Sequence, residues 1–364
     1  MGLTNRNNRF NLLRLVAALA VFVAHGDFLY RLHLPVPFPG HSLGSLAVYV
    51  FFFISGYLVC QSWSREPDWI AFWIKRMMRI FPGLIVAVAF SVCILGWSVT
   101  TLSSRDYWQS SATWLNLVNN AVGVATVQTL PGVFESNPFA RAVNGSLWTI
   151  RYELTMYFLL ATIAWGARGR RWVYPVGAIV LALLWELARI GHWDAAIEGV
   201  GGALADVFRW RDFCGFGVPF FMGSTMAAYG IRPRRWMGVI AVLAGVCALY
   251  ETNALLLQGL VWGGIVFGTF YVAHVGRSEP LGVARVQADL SYGVYIYAFP
   301  VQQAATALCL REGWSLMACM LLSLVPVVLL ALLSWYGVEK PGIRAGSRWL
   351  AAVRTGRAMP VANS

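Results

Sequence analysis

The apolar run at residues 10–30 contains two side chains that a lipid-crossing helix does not need for its own sake, Arg14 and His25. An ionisable group in such a helix costs about 2.5–3.5 kcal/mol on insertion scales, which makes it a functional candidate first. Eleven residues is close to three helical turns, so both side chains project from one face, about 16 Å apart along the axis. An imidazole, with an unperturbed pKa of about 6.5, is suited to taking a proton from a hydroxyl. Snorkelling accounts for Arg14 alone, and a satisfied structural imidazole for His25 alone; a shared face favours chemistry.

A carboxylate joins them. The run at 147–165 is entered through Asn144-Gly145-Ser146-Leu147-Trp148-Thr149-Ile150-Arg151-Tyr152-Glu153. That sets Glu153 roughly 10–13 Å inside the span. An unpaired carboxylate is not expected there, so Glu153 should be neutral or paired with Arg151, His25 or Arg14. Further back, Ala71-Phe72-Trp73-Ile74-Lys75-Arg76-Met77-Met78-Arg79-Ile80-Phe81-Pro82 reads as an inner loop. Its Lys75, Arg76 and Arg79 fall on one basic helical face. Arginine suits bidentate phosphate capture, but spacing alone favours an ordinary positive loop or contact with anionic lipid. The run at 289–311 begins Asp289-Leu290-Ser291-Tyr292-Gly293-Val294-Tyr295. Tyr292 and Tyr295 share a face, which an aromatic belt explains about as well as a site does. Cys60, Cys93, Cys214, Cys247, Cys309 and Cys319 are scattered in apolar runs. Without a CxxC pair or metal-ligand spacing they read as buried thiols, and no metal is expected.

Helices must position these groups. Apolar residues make up 58% of the 364 and charged residues only 12%, with a mean hydropathy of +0.61. Soluble domains carry about 25% charge. So few charges cannot cover a water-soluble protein of this length, which excludes globular soluble, disordered and fibrous chains. A span needs about 20 mostly apolar residues. Ten stretches qualify: 10–30, 43–63, 80–101, 147–165, 173–190, 211–230, 237–252, 254–274, 289–311 and 315–338. The expected fold is therefore all-α, a polytopic transmembrane helical bundle of about ten spans. The transmembrane domain occupies 1–342, and 343–364 forms a basic tail. The polar gap 102–146 leaves room for a short interfacial or re-entrant helix at 114–130.

The net charge of +12 would suggest nucleic acid in a soluble protein. In a membrane protein it marks cytoplasmic loops instead, and no nucleic-acid partner is expected. With both termini cytoplasmic, the inner pieces hold Arg6, Arg9, Arg65, Lys75, Arg76 and Arg79. They also hold Arg168, Arg170, Arg171, Arg232, Arg234, Arg235, Arg277, Arg285, Lys340, Arg344, Arg348, Arg354 and Arg357. That is most of the 28 Lys and Arg residues. The first run is too long for a cleaved signal peptide and contains Arg14. No internal repeat is visible, which argues against a transporter.

Taken together, these segments resemble acyltransferase family 3, integral membrane proteins that move acyl groups from the cytoplasm onto acceptors, often sugars, at the other face. Arg14 and His25 match its first-span pair. Phe51-Phe52-Phe53-Ile54-Ser55-Gly56-Tyr57 is similar to its second-span motif, and Lys75-Arg76-Met77-Met78-Arg79-Ile80-Phe81-Pro82 to its basic loop. Gly145 through Glu153 and Glu339-Lys340-Pro341 also match. Five motifs in order span nearly the whole chain. One departure is Ala298, where many members carry a His; catalysis would then rest on His25. Many members also carry an extracytoplasmic hydrolase-like domain. This sequence ends soon after its last span, so transfer would be completed alone or by a separate protein.

The resemblance implies an acyl-CoA donor as co-substrate, with no permanently bound cofactor.

 
Acetyl-CoA is the expected form of it. Its polyanionic head suits Lys75, Arg76 and Arg79. Its long arm would enter beside Arg14 and bring the thioester near His25, where the extended length matches the Arg14–His25 rise. His25 would act as base, with Glu153 orienting the imidazole if their spans touch. Direct attack and an acyl-His intermediate both fit. Trp148, Ser291, Tyr292 and Tyr295, within the matched motifs, are candidates to bind substrate. The expected reaction is O-acetylation of a surface or exopolysaccharide sugar, of which xanthan is one type, at a bacterial inner membrane. The acceptor would be a carbohydrate, lipid-linked or free, and polysaccharide-assembly proteins would be its partners. Peptidoglycan, lipopolysaccharide, lipo-oligosaccharide or a macrolide are other acceptors within the class. A non-enzymatic transporter or flippase of lipid-linked sugar is the reading from another class.

Overall fold

Long apolar stretches with few helix breakers leave the backbone one way to satisfy its N–H and C=O groups in lipid, which is to bond within the helix. The computed structural model describes residues 9–123, 125–194, 208–274 and 288–355. Among these the protein is all-α, and β pairing is confined to the isolated bridges Phe38–His41 and Thr129–Ala142. Six helices among the described residues are long and apolar enough to cross a membrane: Arg9–Leu29, Leu43–Arg65, Trp69–Val99, Val173–Ile190, Ala254–His274 and Met317–Thr355. A shorter apolar helix covers Arg235–Tyr250. Of the sequence assignments, Arg6, Arg277, Arg285 and Arg357 lie outside the described residues, as does 356–364 of the expected tail.

The chain divides into two compact units, each assembled from separated stretches. The first comprises Met1–Arg65 and Trp148–Tyr295. It contains α1 (Arg9–Leu29), α2 (Leu43–Arg65) and the helices Ile150–Gly166, Val173–Ile190, Trp210–Ala228, Arg235–Tyr250 and Ala254–His274. Glycine permits its closest packing. A Cβ on Gly56 of α2 would collide with the Phe220 carbonyl, and one on Gly223 with the Phe53 carbonyl. The Ser224 hydroxyl donates across this contact to the Gly56 carbonyl at 3.1 Å. Small residues let backbones approach where lipid offers no hydrophobic drive to associate. Beside the crossing, Phe53, Ile54, Tyr57, Met226, Val266 and Phe270 form a buried core.

The second unit comprises Glu66–Leu147 and Ile296–Ser364. Its first helix, α3 (Trp69–Ala89), starts earlier than the expected span at 80. Asp68 caps it by accepting from the Ala71 N–H, so the basic stretch 71–82 is helix rather than loop. The helix continues through a π-helical turn at Phe90–Gly96. The Tyr107 hydroxyl, fully buried, donates to the Val92 carbonyl in that turn at 2.8 Å. Burial pushes the Tyr107 phenol up.

The bounds expected in the polar gap are corrected here. The short helix of the polar gap runs Ser111–Val122 rather than 114–130, because Gly123 ends it in the left-handed conformation at φ 73°. Residues after it are held instead by side-chain amides: Asn116 donates to the Val127 and Thr129 carbonyls at 2.8 and 2.9 Å. The basic tail from 343 is helical through Thr355. It packs on α3, where Gly346 meets Met78 and Gly342 meets Pro82.

Candidate functional site

Within the first unit, α1, α2, the turn and helix from Trp148 to Gly166, and the head of the helix Ser291–Glu312 surround a pocket. Its space is about 500 Å³, open mouth included. Val48, Phe51, Phe52 and Ile150 give it apolar walls. Its polar lining is Arg14, Ser55, Thr149, Glu153 and Ser291, with the tyrosines Tyr292 and Tyr295. Apolar walls with a few converging polar groups are the usual make-up of a small-molecule site.

At one place in the lining, Arg14 Nη1 lies 2.8 Å from Asp289 Oδ2. The Ser291 hydroxyl donates to the other carboxylate oxygen, Oδ1, at 2.5 Å. The Arg14 Nε is buried without a hydrogen-bond partner. Elsewhere Glu153 accepts from the Tyr157 hydroxyl, one helical turn on, and from Ser55 Oγ at 3.4 Å. Both bonds fall on Oε1, so Oε2 holds the remaining acceptor capacity. The Tyr295 hydroxyl is 2.7 Å from Thr149 Oγ1, and Phe51 stands edge-on to its ring at 5.7 Å.

Of the two states expected for Glu153, neutral or paired with a cation, this removes the pairing with Arg151, His25 or Arg14. Two hydroxyls serve the carboxylate. Arg14 pairs with Asp289, and Arg151 Nε donates to the Trp148 carbonyl at 2.9 Å. Hydroxyl donors suffice because each can rotate to meet an oxygen without bringing a second charge into the span.

The second unit holds the basic residues. Lys75 pairs with Glu66, which also meets Arg354. Arg79 Nη1 lies 2.9 Å from Glu339 Oε2, over the Trp335 ring at 5.7 Å. Glu339 is 0% exposed and accepts from the Ser334 hydroxyl at 2.9 Å. Two of the three expected phosphate ligands therefore face carboxylates of the protein itself. No cluster of three or more His, Cys, Asp or Glu suited to a metal occurs among the described residues.

The acyltransferase-domain model of family 3 matches residues 7–336. The chain belongs to acyltransferase family 3. This family 3 acyltransferase is 30% identical over 344 residues to an O-acetyl transferase of Shigella phage Sf6, covering 92% of this chain and 96% of that one. It is 27% identical to nodulation protein 10 of Rhizobium leguminosarum bv. viciae, over 94% of each. A third relative, acyltransferase MdmB of Streptomyces mycarofaciens, is 30% identical over 174 residues, 43% of this chain and 42% of that one. No solved structure matches.

Five of the candidate residues of the acyltransferase thus meet at one pocket: Arg14, Glu153, Ser291, Tyr292 and Tyr295. His25 is buried in α1, its ring 5.6 Å from that of Phe28, and is not part of the pocket lining. Trp148 is half-buried against Tyr152 and Phe216, at 5.6 and 5.7 Å, and is likewise outside the lining. Lys75, Arg76 and Arg79 belong to the second unit. Sequence reasoning passed over Asp289, Ser55, Thr149 and Tyr157 as site residues. Asp289 had a usable signal: a carboxylate at the head of a span is a natural partner for an arginine within one. Tyr157 had another, lying four residues from Glu153 on the same helical face.

Proposed function

We propose that this membrane acyltransferase moves an acyl group, acetyl above all, from acyl-CoA to a hydroxyl of a surface or exopolysaccharide sugar at a bacterial inner membrane. The observation that carries the reading is the pocket. It combines a carboxylate with spare acceptor capacity, a guanidinium and apolar walls, on a chain that aligns nearly end to end with an O-acetyl transferase.

In the proposed reaction the acceptor oxygen attacks the thioester carbonyl carbon. A C–O bond forms, the C–S bond breaks, and the thiolate leaves as CoA. The hydroxyl proton passes to a base. His25 and Glu153 are the two candidates. The pocket favours Glu153 at the reacting hydroxyl, since it lines the space that an acceptor would enter. His25 retains the base role if the acceptor reaches deeper along α1. Lys75, Arg76 and Arg79 are assigned to the CoA phosphates, with Arg79 also tied to the fold through Glu339. The tyrosines Tyr292 and Tyr295, with Trp148, are assigned to the substrate.

Purified protein in lipid nanodiscs, given labelled acetyl-CoA and a polysaccharide acceptor, tests the reaction. Transfer of label to the acceptor is expected, and its absence across sugar, lipid-linked sugar and macrolide acceptors would overturn the reading. Comparing His25→Gln with Glu153→Gln identifies the base: the variant of the true base loses transfer while still binding donor. Changing Lys75 and Arg76 to Gln, with Arg79 kept, should weaken acetyl-CoA binding, as should added salt in the wild type. Unchanged affinity would leave those residues as lipid contacts. Sidedness is tested with single cysteines at Ser104 and Ser278, the latter outside the described residues, in a cysteine-free background. An impermeant thiol reagent on spheroplasts should label 104 and spare 278.

A further inference from the structure

We propose that Asp289 is a positioning residue for transfer, fixing the Arg14 guanidinium in the pocket wall; this rests on the acyl-transfer reading above. The pair joins residues 275 apart in sequence and closes at 2.8 Å. Both side chains are largely withdrawn from solvent, at 16% and 11% exposure. The carboxylate is itself oriented, because Ser291 donates to its other oxygen at 2.5 Å. Arg14 and Ser291 both line the pocket, so this three-residue chain reaches the site from two helices.

Stability is a poor explanation for it. A buried ion pair gains little over apolar residues of the same volume, since both charges must leave water. Here the guanidinium also keeps a buried Nε with no hydrogen-bond partner, which adds a desolvation penalty. An arginine chosen only to hold helices together would be better satisfied. A long, flexible side chain in a pocket wall does need restraint if it is to meet substrate in one geometry, and misplacement by about 1 Å can cost about 100-fold in rate. Asp289 supplies that restraint at Nη1, and Ser291 stops the carboxylate from turning away. Both oxygens of the Asp289 carboxylate are engaged by side chains that themselves line the pocket.

The test is a double-mutant cycle in nanodiscs on acetyl transfer, with Arg14→Ala, Asp289→Asn and the double variant, each checked for monodispersity and thermal midpoint. Asp289→Asn should lower kcat/KM about 10- to 100-fold. The double variant should be no slower than Arg14→Ala alone, because Asp289 acts only through Arg14. Asp289→Glu, keeping the charge, should recover part of the rate, and this variant decides the matter should Asp289→Asn fail to fold. Multiplicative losses in the double variant, wild-type rates in Asp289→Asn, or equal loss in a well-folded Asp289→Glu would overturn the proposal. Absence of transfer in the wild type would instead overturn the acyl-transfer reading and this inference with it.

Discussion

Two arginine–carboxylate pairs, one in each unit, have nearly the same geometry and different surroundings. Arg14 meets Asp289 at 2.8 Å, and Arg79 meets Glu339 at 2.9 Å. The two arginines are equally withdrawn, at 16% exposure. The first pair stands at a pocket and leaves a buried Nε without a hydrogen bond. The second is closed in, with Glu339 fully buried, a serine on its other oxygen and a tryptophan ring beside the guanidinium. On the proposed reading the first pair serves the pocket, while the second ties Arg79 to the fold as well. Distance does not distinguish them; what else surrounds the charges does.

The largest effect should come from the pocket side. Glu153→Gln or Arg14→Ala should lower acyl transfer by about 100-fold or more, in protein that is still monodisperse and inserted. Product mass spectrometry measures it, and near-normal product would remove the pocket from the mechanism.

Next comes the sealed pair. Arg79→Ala leaves Glu339 buried without its guanidinium, which should cost about 3–5 kcal/mol and most of the folded yield. Size-exclusion profiles and thermal midpoints in detergent measure it. The sharper form replaces both partners. Arg79→Met with Glu339→Leu should restore much of the folded yield, since apolar residues of similar volume often substitute for a buried pair. Arg14→Met with Asp289→Leu should fold equally well and transfer nothing. The opposite pattern, activity without the first pair or no rescue of the second, would break the comparison.

A smaller effect is expected away from both pairs. Gly56→Ala puts a methyl against the Phe220 carbonyl, and the forced separation of α2 from its neighbour should cost about 1–3 kcal/mol. Because Ser55 and Phe52 of α2 line the pocket, a partial fall in transfer should accompany the lower thermal midpoint.

The residues of the site were legible in proportion to how badly they fit lipid. Arg14 and Glu153 stood out because ionisable groups interrupt apolar runs. Ser291, Tyr292 and Tyr295 followed from the motif that opens their helix. Lys75 and Arg79 were equally visible, but as a bare basic face; their carboxylate partners Glu66 and Glu339 change what that face has to offer. Helix starts were less legible. The apolar signal began near residue 80, whereas an aspartate cap begins the helix at Trp69, and a cap depends on one side chain rather than on average hydropathy.

By itself the sequence determined that this chain is helical, since a chain with so few charges must satisfy its backbone internally, and that it belongs with acyltransferases, since its motifs follow in order. Which charge meets which was decided only by tertiary structure. Arg14 and Asp289 are 275 residues apart, and Arg79 and Glu339 260. Helical periodicity tells which residues share a face of one helix, but not which face of another helix lies opposite. That is set by side-chain volume at the crossings, as where Gly56 and Gly223 let two backbones close on each other, and the crossings in turn place the carboxylates beside their arginines.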